Sequence, residues 1–306
     1  MADVFASVEK LSHFGEILAL SSAILWAVSV ILFRIIGKTV SPVGMNLLKN
    51  VFSIIFLLLT ILALHQPLFP PLPWQSYGLL ILSGMIGIGL SDTLFFSALN
   101  LLGAELVAIV DCSYSPFIIG LSFLFLGERM NGIQIFGVIL TISAVALITH
   151  KKTQLVISRP TLFLGISLGL LSMFFTAVGV VMIKPLLAHT SLFWASLFRM
   201  IGGFLSLGIY LALNPKRQSI LKPLCSPQTI KLMIPASFLG GYLALVAWLG
   251  GMKYTEASVA SAVNQLNTIF IFILGAIFLK EKITPIKIIA ILFAFTGAFL
   301  VSFFNS

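Results

Sequence analysis

Four ionisable side chains stand inside long apolar runs of this chain, namely Lys49, Asp92, Asp111 and Arg199, with Glu105 nearer the end of its run. Within a bilayer such a group costs about 2.5–3.5 kcal/mol on insertion scales, so each needs a partner or a task. Spacing suggests which ones are partners. Lys49 lies about seven residues beyond one loop, Asp92 about ten before a second loop on the same membrane face, and Asp111 about eight beyond that second loop. With a helical rise of about 1.5 Å per residue, all three sit roughly 10–15 Å below one surface. The expected arrangement is a buried cluster of one cation and two carboxylates. Lys49 then either fixes helix register in an ion pair or contacts a substrate, while Asp92 and Asp111 either belong to that structural pairing or carry coupling protons.

The run over 104–126 carries a small and polar stripe at helical spacing, Ala104, Ala108, Asp111, Ser115 and Ser122, with Tyr114 beside it. The run over 257–279 carries a matching one, Ala257, Ser261, Asn264, Thr268 and Gly275, with Asn267 beside it. A small-residue face either packs closely against another helix or lines a cavity, and does not face lipid. Close packing accounts for the Ala and Gly. Asp111, Tyr114, Asn264 and Asn267 are too polar for packing alone, so cavity lining is expected of them. A milder version, Ser22, Trp26 and Ser29, is matched by Ser172, Thr176 and Gly179, and Trp248 lies on a face with Gly241, Ala244 and Gly251. The candidate substrate-binding residues are therefore Trp26, Lys49, Tyr114, Arg199, Trp248, Asn264 and Asn267.

Enzymatic chemistry finds no support in these residue types. Gly165-Ile166-Ser167-Leu168-Gly169 fits the G-x-S-x-G pattern of hydrolases, but that motif needs a strand-to-helix turn with a histidine and an acid nearby. Here it sits inside an apolar helical run, where the same glycines make a close-packing GxxxG face. His13, His65, His150 and His189 all fall at the ends of runs, and Cys112 and Cys225 lie far apart in unrelated apolar contexts. No catalytic residue, metal site or cofactor is expected.

The elements that must position these groups are membrane helices. Only 9% of residues are charged and 59% are hydrophobic, with a mean hydropathy of +1.13, where a soluble domain carries about 25% charged residues. The net charge of +9 does not indicate nucleic acid, because Lys and Arg collect in the gaps between apolar runs, where topology signals reside. Runs long enough to cross a bilayer fall at 16–37, 43–64, 76–99, 104–126, 132–149, 161–184, 191–213, 229–252, 257–279 and 284–304. Pro42, Pro160 and Pro285 stand where the next helix would begin, a position at which the missing N–H costs nothing. Pro116 falls inside a run, as a gate hinge or as a bend that fits its neighbours. Asp3, Glu9 and Lys10 precede a full-length run without a small-residue cleavage site, so no signal peptide is expected.

The chain also repeats itself. At an offset of 150, Gly15, Ser22, Ala27, Arg34, Ser41 and Lys49 fall on Gly165, Ser172, Ala177, Lys184, Ser191 and Arg199. At an offset of 153, Ala104, Val110 and Phe125-Leu126-Gly127-Glu128-Arg129 meet Ala257, Val263 and Phe278-Leu279-Lys280-Glu281-Lys282. Five runs per half is an odd number, so the second half enters the membrane inverted relative to the first. Inverted repeats that meet at a midplane site are an architecture of secondary transporters. The symmetry breaks at the charges. Arg199 repeats Lys49, but the positions matching Asp92 and Asp111 are Leu245 and Asn264. Arg199, lacking those carboxylates, either holds a substrate carboxylate or phosphate or snorkels to the interface.

Each half thus has a basic residue closing its first run (Arg34, Lys184), one inside its second (Lys49, Arg199) and a Glu after its fourth (Glu128, Glu281), with Trp26 in the first run of the chain. In this the sequence resembles the EamA branch of the drug/metabolite transporter superfamily, over essentially its whole length. The resemblance implies export or uptake of small metabolites such as amino acids, through a central cavity by alternating access, in the cell (inner) membrane. It departs from the small multidrug-resistance relatives, whose acidic residue eight positions before the first closing base is replaced by Trp26 and Thr176. Their proton-exchange mechanism is not carried over.

The expectation is an all-α integral membrane protein of ten transmembrane helices in two inverted five-helix repeats. A short tail covers 1–15, the first repeat 16–150, an inter-repeat loop 151–160 and the second repeat 161–306. The expected function is secondary transport of a small organic metabolite, an amino acid or related solute, with protons as the candidate coupling ion. A non-transporting scaffold or sensor that retains the fold is the alternative. Of the Lys and Arg near loops, twelve lie on one face and four on the other, which places both termini outside the cytoplasm, whereas the resemblance implies termini inside.

Overall fold

The computed structural model describes residues 13–126, 131–150, 157–255, 260, 263–281 and 283–303. Most of the expected N-terminal tail, Glu128 and Arg129, most of the inter-repeat loop, Ala257 and Ser261 at the start of the ninth run, Lys282 and the Ser122 side chain lie outside the described residues.

Helix starts follow the local chemistry. In α2 (Pro42–Ala63) the Ser41 hydroxyl accepts the Gly44 N–H at 3.3 Å, with Pro42 in the first turn. In α7 (Arg159–Val181) Ser158 does the same for Thr161 at 3.4 Å, with Pro160 in the first turn. The other elements are α1 (Phe14–Ile36), α3 (Trp74–Leu102), α4 (Ala104–Asp111), α5 (Tyr114–Leu126), α6 (Gly132–His150), α8 (Leu192–Leu213), α9 (Pro227–Tyr254), α10 (Leu266–Phe278) and α11 (Pro285–Phe303). The stretches α1, α2, α3, α4 with α5, α7, α8 and α9 are seven in number and long and apolar enough to cross a membrane. Three shorter apolar helices, Gly132–Leu147, Leu266–Phe278 and Pro285–Leu300, accompany them. The tight passage from α3 to α4 needs Gly103, whose φ of +85° strains any residue with a Cβ.

Two departures from straight helices shape the interior. The fourth run breaks at Cys112–Ser113, between α4 and α5. Pro116 has no N–H for the Cys112 carbonyl and its ring crowds that turn, so the helix is interrupted there and not merely bent. The equivalent Gln265 is likewise a turn residue ahead of α10, although Ile269 stands where the proline would be. In addition, α3 widens into a π-helical turn at Met85–Leu90 and α9 at Ser237–Ala244. The Asn46 amide donates to the Ile88 and Gly89 carbonyls at 2.9 and 3.0 Å, occupying acceptors that the wide turn releases.

The halves interleave. Helix α3 packs on α7 as α9 packs on α1; α8 packs on α3 as α2 packs on α9; α5 packs on α7 as α10 packs on α1. Matching members of the two halves also meet, α2 with α8, α4 with α10 and α6 with α11. Hydrogen bonds obey the same exchange: Ser22 Oγ donates to the Ala244 carbonyl and Ser172 Oγ to the Ser91 carbonyl, both at 2.9 Å. Helices α3 and α8 touch backbone to backbone, since a Cβ on Gly84 would strike the Arg199 carbonyl and one on Gly202 the Ile81 carbonyl. That contact carries Arg199 into the centre of the molecule.

Candidate functional site

A cavity of about 130 Å³ lies between the halves, room for about four water molecules. From the first half Trp26, Lys49, Asp92, Asp111 and Tyr114 line it, and from the second Arg199, Trp248, Asn264 and Asn267. All nine residues singled out from the sequence thus surround one space.

Lys49, only 2% exposed, is ion-paired with Asp92 and lies 5.9 Å from the Phe96 ring centre. Asp111 does not join them, so the expected three-membered cluster does not form. Equal depth fixes a residue's height but not the direction it faces. At the end of α4 Asp111 faces α10, where it accepts the Asn267 amide at 3.0 Å. Lys49 and Asp92 are therefore one pair, and Asp111 is a separate buried carboxylate held by a neutral donor.

Arg199 is 1% exposed, so it does not snorkel to the interface. It makes no hydrogen bond or ion pair, and its Nε and Nη1 are buried without a partner. Asp92, already bound to Lys49, and Tyr114 are within its electrostatic reach. The Tyr114 hydroxyl, Asn264 Oδ1 and Gln265 Oε1 are also buried without partners. Aromatic walls complete the space: the Trp26 ring packs tilted against Phe95 at 5.5 Å between centres, and Tyr114 against Trp248 at 6.2 Å.

The polar atoms left free have a symmetric origin. Where α4 and α5 cross α10, Cys112 Sγ meets Thr268 Oγ1 at 3.3 Å and Gln265 Nε2 donates to Ser115 Oγ at 3.1 Å. These two contacts exchange under the repeat. The bond between Asp111 and Asn267 would exchange with one between Asn264 and Tyr114, but the Tyr114 hydroxyl and Asn264 Oδ1 have no partner and both residues line the cavity.

Sequence reasoning missed Gly87, Ile88, Gly240 and Gln265, which also line the cavity. The two π-helical turns bring backbone, not side chain, to the wall. A methyl on Gly87 would stand 3.1 Å from Arg199 Nη2, and one on Gly241 3.1 Å from Lys49 Cγ, so each glycine accommodates the other half's cation. The signal was present in the glycines at 84, 87 and 89 and the pair at 240 and 241, of which Gly87 and Gly240 fall at equivalent positions in the two halves. Among the described residues, no group of three His, Cys, Asp or Glu is placed to hold a metal ion.

Fold and site together define a multi-pass, all-α membrane protein of two repeats with a chamber of charged and aromatic lining where they meet. A model of the EamA-like transporter family matches residues 13–150 and again 163–303, and the chain belongs to that family, a branch of the drug/metabolite transporter superfamily. It is 23% identical over 299 residues to an uncharacterised transporter of Clostridium kluyveri, covering 94% of this chain and 92% of that protein. A local match to an uncharacterised transporter of Archaeoglobus fulgidus reaches 46% identity over 52 residues, 17% of this chain and 19% of that one. A solved crystal structure shares the fold with a TM-score of 0.69 at 16% identity, covering 95% of this chain and 97% of the other. The protein is a membrane transporter.

Proposed function

We propose that the protein is a secondary transporter that carries a small organic metabolite, an amino acid or related solute, by alternating access across the cell (inner) membrane through ten spans. The observation that carries this reading is the central cavity, which combines two cations, two carboxylates and four aromatic side chains between inverted halves. The cavity is amino-acid-sized, and the charged groups of both signs suit a zwitterion. The interruptions in the fourth and ninth runs and the π-helical turns in α3 and α9 supply bending points beside it. Reconstituted protein is expected to exchange labelled amino acids across proteoliposomes. Absence of flux and of exchange under every imposed gradient would overturn the reading in favour of a scaffold that keeps the fold.

Coupling, in this proposal, rests on Asp111 and not on Asp92, because Asp92 is committed to Lys49 whereas Asp111 has only a neutral partner. Asp111→Asn is expected to abolish proton-driven accumulation while leaving solute exchange at zero gradient largely intact. Accumulation at the wild-type level in this variant would show that protons do not travel on Asp111.

A further inference from the structure

We propose that Arg199 is kept in the cavity for the negative charge of the substrate, and that Leu245 is the residue that keeps it free. The inference rests on the transport reading above and specifies the ligand of the same chamber.

Lys49 and Arg199 are equivalent in the two halves, and so are Asp92 and Leu245, as shown by the matched hydrogen bonds to the residues just before them, Ser91 and Ala244. The first cation is satisfied by its carboxylate, whereas the half that carries the second has an isobutyl group, Leu245, at the matching position. A buried cation without a counter-charge is destabilising, and a guanidinium fork pairs with a carboxylate through two parallel hydrogen bonds. The protein makes no such bond itself: Arg199 Nε and Nη1 are both unpartnered, 1% exposure excludes bulk water, and Leu245 lines the same cavity. Gly87 lets the guanidinium pack close to α3, since a methyl there would stand 3.1 Å from Nη2.

The other buried polar atoms without partners set the rest of the ligand. Asn264 Oδ1 and Gln265 Oε1 can only accept, and the Asp111 carboxylate is a third acceptor. A second negative charge on the solute would therefore meet acceptors, whereas an ammonium group would meet partners. The chemistry that fits is a zwitterion whose carboxylate binds Arg199 and whose ammonium group lies toward Asn264 and Gln265. A dianionic phosphate does not fit.

The test uses purified full-length protein, with L-leucine, L-phenylalanine, their amides and inorganic phosphate as probes and thermal stabilisation as readout. In the wild type each acid is expected to bind at least about tenfold more tightly than its amide, the ratio for a hydrogen bond to a charged group, and phosphate is expected not to stabilise. Leu245→Asp supplies the missing counter-ion. It should raise the unfolding temperature of ligand-free protein above that of Leu245→Asn and erase the preference for acids, which Leu245→Asn should retain. In an Arg199→Met background the advantage of Asp over Asn should vanish. Acid and amide binding alike, no acid binding in the wild type, or ligand-free Leu245→Asp no more stable than Leu245→Asn would each overturn the inference. Flux of neutral solutes or amides without acid preference would overturn it while leaving the transport reading intact; absence of all flux would remove the transport reading itself.

Discussion

Asp92→Leu is expected to lower the stability of the detergent-purified protein by about 3–5 kcal/mol, the cost of breaking a buried ion pair from one side. Lys49 is 2% exposed and would be left as an uncompensated cation beneath the Phe96 ring. Asp92, though bound to Lys49, is also within electrostatic reach of Arg199, so its loss leaves Lys49 unpaired and makes the field at the second cation less favourable. Lys49→Met should cost less, because the Asp92 it unpairs is 17% exposed and so more readily solvated than the fully buried lysine. The double variant Lys49→Met/Asp92→Leu should recover most of the loss, since two apolar side chains of similar volume replace a buried pair at little net cost. Unfolding temperatures across the four proteins decide it: a double variant as unstable as Asp92→Leu would mean that the pair does not account for the loss.

Lys287→Met is expected to cost a similar amount, about 3–5 kcal/mol, at the other charged cluster. Lys287 in α11 ion-pairs with Glu105, which is fully buried and whose Oε1 has no partner. Glu281 lies within electrostatic reach of Glu105 and accepts the backbone N–H groups of Ala104 and Glu105 at 3.0 and 3.1 Å, capping the start of α4. Removing the lysine sets two carboxylates against each other at the seam where α4 of the first half meets the second. Lys287→Arg should stay close to wild type, and Glu105→Gln should restore part of the loss in the Lys287→Met background. Wild-type stability in Lys287→Met would show that the seam is held by other contacts.

Much of this arrangement was legible in the sequence because membrane insertion penalises polar atoms strongly enough to make their positions informative. Lys49 and Asp92 were matched by counting residues from the loops, since helical rise converts spacing to depth. The same count misplaced Asp111, because depth carries no information on which neighbour a side chain faces. The unmatched Arg199 followed from comparing halves: Leu245 stands where Asp92 has its counterpart. What remained hidden depends on backbone geometry. Nothing in hydropathy distinguishes a π-helical turn at Met85–Leu90 from ordinary helix, although its glycines marked the place. Gln265 interrupts its helix without a proline, so only its equivalence to Cys112, just before Pro116, could have disclosed the break.

The measurement closest to the central claim is two-sided access to the cavity. Cys112→Ser/Cys225→Ser removes both cysteines of the chain, and Thr176→Cys then places a single thiol on the cavity wall. A membrane-impermeant maleimide is applied from one face and, separately, from the other in sealed vesicles of known orientation. The alternating-access account predicts labelling from both faces, with a transported solute slowing the reaction on each side. Labelling from one face only, unchanged by any solute that binds, would contradict it.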